Sequence, residues 1–147
     1  MVPRTVFFAS MFSSFLLSPL SASPGGGRPE KLLTVAEASG YRRTGTTREV
    51  WTFLREVCRR TGDARLEVMG RSPQGREIPL VVAGRPLPDG PIPRAGRERP
   101  VIYLQANIHA GEVAGKEALQ ILLRRILLEG DLPGILDQVV LLVCPDF

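Results

Sequence analysis

Val101-Ile102-Tyr103-Leu104-Gln105-Ala106-Asn107-Ile108-His109-Ala110-Gly111-Glu112-Val113-Ala114-Gly115-Lys116-Glu117-Ala118-Leu119-Gln120-Ile121-Leu122-Leu123-Arg124-Arg125-Ile126-Leu127-Leu128 changes its period part-way along. Val101 to Gln105 is a short β-rich run. From Ala114 to Leu128 the apolar residues Ala118, Leu119, Ile121, Leu122, Leu123, Ile126 and Leu127 recur at helical spacing. Their face is wide, which predicts a well-buried helix. Gly115, without a side chain, lets that helix approach a sheet closely. Asp131, Pro133 and Gly134 end the helix, and Val139 to Cys144 is a second buried-looking strand. Strand, helix, strand in this order is a parallel crossover unit.

Upstream, Val50, Phe53, Leu54, Val57 and Cys58 share one helical face. Thr46 or Thr47 caps the start, Glu49 supplies first-turn negative charge, and Gly62 stops the helix. Arg65 to Met69 alternates, Ile78 to Ala83 is β-rich, and Pro73 and Gly75 between them suit a turn, so an antiparallel hairpin is expected. Gly84 to Pro100 reads as a long Pro/Gly-rich loop, and residues 24–46 as a linker and extended lead-in. Together these predict an α/β fold, a three-layer sandwich with a mixed sheet.

The 147 residues are 44% hydrophobic and 23% charged, which fits one ordinary globular domain. Net charge is +4, carried almost wholly by scattered arginines with no aromatic interleaving, so nucleic acid is not an expected partner. Cys58 and Cys144 read as separate buried thiols. Arg4 precedes the apolar run Val6 to Leu17, and small residues follow at Ser21, Ala22 and Ser23. That is the layout of a secretory signal peptide over residues 1–23, cleaved near Ala22 or Ser23. The apolar run is short for a membrane span, so a secreted or periplasmic chain without a stable span is expected.

In open α/β sheets ligands sit beyond the carboxyl ends of strands. His109 and Glu112 fall there, after the Val101–Gln105 strand, and i, i+3 spacing puts imidazole and carboxylate on one side. Both are zinc-type ligands. Gly111 between them relaxes the backbone and helps them converge. On spacing alone a structural pair and a metal site both stay open. Lys116 and Glu117 are expected to face solvent or neighbouring helix residues. Arg71 and Arg76 are expected to brace the hairpin, and Trp51 and Tyr41 to pack. Cys144 and Asp146 have no zinc-pattern spacing.

The longer string from Gln105 to Ala118 resembles the first metal motif of the zinc carboxypeptidases, the carboxypeptidase A-like metallopeptidases. Gly70-Arg71-Ser72-Pro73-Gln74-Gly75-Arg76-Glu77-Ile78 is similar to their Gly-x-Ser-x-x-Gly-Arg hairpin, and Thr34 to Tyr41 to the lead-in of bacterial members. The resemblance spans about residues 34 to 147, so residues 47–147 read as the N-terminal part of such a catalytic domain. It implies Zn2+ as cofactor, His109 and Glu112 as first and second ligands, and a peptide with a free C-terminus as substrate. It places the third ligand, a histidine, and the general base, a glutamate, beyond Phe147, so the site is expected to be incomplete and this chain inactive alone, with the half sheet leaving an unpaired apolar edge at Cys144. Gly111 departs from the best-known members, which carry a substrate-gripping arginine there. Two alternatives accompany this reading: an aspartoacylase-type deacylase, which also uses a His-x-x-Glu pair, and a secreted non-catalytic pseudoenzyme or binding module on the same scaffold.

Overall fold

Thr46 starts the first long helix. Its hydroxyl accepts from the Glu49 amide at 3.4 Å while the Glu49 carboxylate accepts from the Thr46 amide at 2.8 Å. This capping box satisfies two donors that a helix start leaves free. The computed structural model describes residues 31–90 and 99–147. Along these run a one-turn helix α1 (Val35–Ala38), α2 (Thr47–Arg59), β1 (Ala64–Arg71), β2 (Glu77–Ala83), β3 (Val101–Gln105), α3 (Val113–Arg124), the one-turn α4 (Ile135–Gln138) and β4 (Val140–Cys144). The expected signal peptide, the Pro24–Pro29 linker and part of the long loop lie outside the described residues.

The four strands form one mixed sheet in the order β1-β2-β4-β3. β1 and β2 pair antiparallel as the hairpin signals require, from Ala64 opposite Ala83 to Arg71 opposite Glu77. Gly75 takes the left-handed conformation at the turn, with φ +76°, and Arg71 braces it by donating to the Gly75 carbonyl at 3.1 Å and to Glu77 at 2.6 Å. The ladder slips between Val68 and Gly70, opposite Pro79 and Ile78. Pro79 has no N–H to offer, and a bulge is where a sheet tolerates that loss. β2 pairs antiparallel with β4 over Val81–Ala83, and β3 pairs parallel with β4 from Val101–Val140 to Gln105–Cys144.

The core lies between the helices and one face of this sheet. Val50, Phe53, Leu54 and Val57 of α2 meet Val81 and Ala83 of β2, Leu141 and Val143 of β4, Leu123 of α3 and Leu136 of α4. Each fully buried side chain of this kind contributes about 1.5–3 kcal/mol. The opposite face carries a second cluster of Leu80, Val82, Val140 and Cys144, with Ile78, Leu87, Val101 and Leu142 against it. α2 therefore runs as its apolar period requires, ending at Arg59, three residues before Gly62.

Three expectations change. The lead-in is not simply extended: Thr34 and Glu37 form a second capping box around α1, and Thr34 is buried. A reciprocal cap stabilises a turn too short to show a period. α3 does not continue as a regular helix to Leu128; Arg125–Glu129 widens into a π turn that Gly130 ends in the left-handed region. There the buried Arg124 faces Glu129 at 2.7 Å. Cys144 leaves no free edge, because β4 is an inner strand; among the described residues the edges are β1 and β3, and β3 carries the exposed Ile102 and Tyr103.

Candidate metal centre

β3 ends at Gln105, and the chain turns once before α3. Asn107 makes the turn with φ +58°, a conformation that asparagine tolerates better than most residues. Its Nδ2 donates to Asp146 Oδ1 at 2.6 Å. The turn is also bonded through its backbone to the end of β4, Ala106 N to the Cys144 carbonyl at 3.0 Å and Phe147 N to the Ala106 carbonyl at 3.3 Å. Past this anchored point come His109 and, as the residue capping α3, Glu112.

The structure brings these two together. His109 Nδ1 lies 3.1 Å from Glu112 Oε1, and the side chains are 79% and 67% exposed. An imidazole nitrogen and a carboxylate oxygen that converge in the open at a strand end suit two positions of a zinc ion. Among the described residues no group of three or more histidine, cysteine, aspartate or glutamate side chains gathers to hold a metal. Asp146 is buried, and its Oδ1 is engaged by Asn107. Cys144 is fully buried, and burial pushes its thiol up to about 11, away from the thiolate that a metal needs.

Gly111 is not required for the convergence. Its φ is not in the left-handed region, and a Cβ there would meet open space. Gly115 is required: a Cβ would stand 3.0 Å from the Ala106 Cβ, so the glycine seats α3 against the end of β3.

Lys116 and Glu117 do not face solvent. Both are buried. Lys116 Nζ donates to the Gly45 carbonyl at 2.6 Å. Glu117 Oε1 accepts from the Thr44 hydroxyl at 2.6 Å and from the Gly45 amide at 2.9 Å. The chain before α2 lies across this side of α3 and supplies backbone partners that a helix read in isolation lacks. Tyr41 is likewise no packing residue; it is 71% exposed, with φ +61°. Trp51 does pack, buried with its Nε1 donating to the Glu77 carbonyl at 3.3 Å. A cavity of about 500 Å³ lined by Tyr41, Thr44, Val113, Ala114 and Glu117 adjoins the first turns of α3 but includes neither His109 nor Glu112.

Sequence reading missed the pairing of Asn107 with Asp146. The signal available was an asparagine two residues past a strand end, a residue suited to the left-handed turn. Its partner, 39 positions away, had none.

The profile of the zinc carboxypeptidase family matches residues 50–147. The chain belongs to the zinc carboxypeptidase family. A carboxypeptidase A from Helicoverpa armigera shares the fold of this zinc carboxypeptidase segment with a TM-score of 0.58 at 15% identity, over 69% of this chain and 24% of that one. A metallo-carboxypeptidase from Burkholderia cenocepacia does so with a TM-score of 0.54 at 22% identity, over 69% of this chain and 26% of that one. The chain thus spans about a quarter of the length of these solved relatives. Among curated proteins no match is found. Among the described residues no helix is long and apolar enough to cross a membrane.

Proposed function

We propose that this chain contributes the first half of the zinc site of an exported metallocarboxypeptidase, with His109 and Glu112 as the first two ligands and peptides with a free C-terminus as substrate. The observation that carries this reading is the convergence of the two side chains at 3.1 Å, both exposed, at the end of β3. Membership of the zinc carboxypeptidase family supports the choice of metal. The signal-like order of residues 1–23 supports export.

Zinc, when bound, supplies a Lewis acid for a scissile carbonyl and lowers the pKa of water. The chain's own part is to present donors. β3, fixed at its end by bonds to β4, aims the imidazole outward. The first turn of α3 holds Glu112 beside it. A complete site takes a further donor from outside the described residues.

Calorimetric zinc titration of the full chain tests this. The expected result is saturable binding that His109→Ala and Glu112→Gln each abolish, with unchanged circular dichroism. Zinc uptake that survives both substitutions at wild-type affinity would remove the reading.

A further inference from the structure

We propose that Asn107 is a positioning residue: the hydrogen bond that its side-chain amide donates to Asp146 ties the turn between β3 and α3 to the end of β4 and so holds His109 and Glu112 in register with each other. This rests on the reading of that pair as zinc ligands.

The turn is exposed almost throughout. Ile108, His109, Ala110, Gly111 and Glu112 all face solvent, and Glu112 has no side-chain bond to the start of α3. Within the turn, Glu112 N donates to the His109 carbonyl at 2.9 Å. Two donors on an open loop need their supports elsewhere, because a site loosens when its neighbours leave it free to move.

Asn107 supplies that support from below. Its backbone is left-handed, and its amide meets the carboxylate of Asp146, a residue that is only 7% exposed. A hydrogen bond to a buried ionised oxygen is stronger than one between neutral groups. Asn107 Oδ1 and Asp146 Oδ2 are also buried without a protein partner. Such uncompensated atoms cost stability, and the cost falls where the ligand turn is anchored.

The test is a double-mutant cycle in the full chain: wild type, Asn107→Asp, Asp146→Asn and both together. Aspartate keeps the tolerance for a left-handed backbone, so the cycle varies the side-chain bond. Asn107→Asp alone sets two carboxylates against each other and is expected to weaken zinc binding about tenfold. Asp146→Asn alone keeps an acceptor and stays near wild type. The double variant re-forms the bond with its polarity reversed and recovers zinc affinity close to wild type.

Zinc titrations are followed by NMR on the imidazole of His109, the one histidine in the sequence. In the metal-free chain, 15N relaxation of residues 108–112 is measured across the same four proteins. Order is expected to fall in Asn107→Asp and return in the double variant. Wild-type zinc affinity in Asn107→Asp, or a double variant no tighter than that single one, would overturn the proposal. If the wild type takes up no zinc, the zinc-ligand reading fails, and the relaxation data still judge the clamp: uniform order across the four proteins overturns it.

Discussion

Arg124 shows how far a residue's surroundings can depart from its type. Its side chain is 2% exposed, in a helix whose sequence marks arginine for solvent. The guanidinium donates to both oxygens of Glu37 and, at 2.9 Å, to the Leu32 carbonyl. Burial pushes the Glu37 carboxyl up, but the Arg124 bond and the Thr34 amide outweigh it, and the group lies below its ordinary range. One arginine thus binds the lead-in around α1 to α3. Arg124→Ala would leave Glu37 without its hydrogen-bonded countercharge, with only Lys31 still acting on it, and the loss of a partner from a buried pair costs about 3–5 kcal/mol. Urea unfolding followed by circular dichroism is expected to show a loss of that order. A change below about 0.5 kcal/mol, the range for ordinary surface positions, would mean that the pair does not hold the lead-in.

At the scale of elements, α2 and α3 make different demands. α2 is capped and charged at both ends by exposed groups. The Arg43 bond, followed by those from Thr46, holds the Glu49 carboxyl at about 2, and bonds from Arg59 and Arg60 do the same for Glu56. Both folded values lie below the ordinary 4.5, so their contribution is complete above that pH and is lost as pH falls towards 2. The melting temperature is expected to drop across that window, and Glu49→Gln to shallow the drop; a profile unchanged by the substitution would refute the assignment. α3 instead depends on closeness. Gly115→Leu would force its first turns away from Ala106, an overpacking cost of about 1–3 kcal/mol, and is expected to weaken zinc uptake along with stability. Retained affinity with lowered stability would show that the ligand turn does not follow the helix.

At the scale of the molecule, β3 presents an edge that is unpaired among the described residues, beside exposed Ile102 and Tyr103. Such an edge templates pairing with other chains. Size-exclusion chromatography of the full chain is expected to show concentration-dependent association, reduced by Ile102→Lys. A monomer at all concentrations would show that the edge is shielded in solution.

Much of this architecture is legible in the order of residues. The period of Val50 to Val57, the turn residues between β1 and β2, and the change of period at His109 are local signals, and each matches an observed element. The pairing of His109 with Glu112 is local too, because i, i+3 spacing is settled within one turn. What only the tertiary structure decided is partnership across distance. Lys116, Glu117 and Arg124 are buried because a segment some 70 to 90 positions earlier crosses α3 and offers carbonyls, an amide and a carboxylate. β3 rather than β4 is the edge because β4 inserts between β2 and β3. A charged residue reads as exposed until the group that compensates it is in place, and strand order is set by which faces and edges the completed core can cover; neither is written in any local stretch of chain.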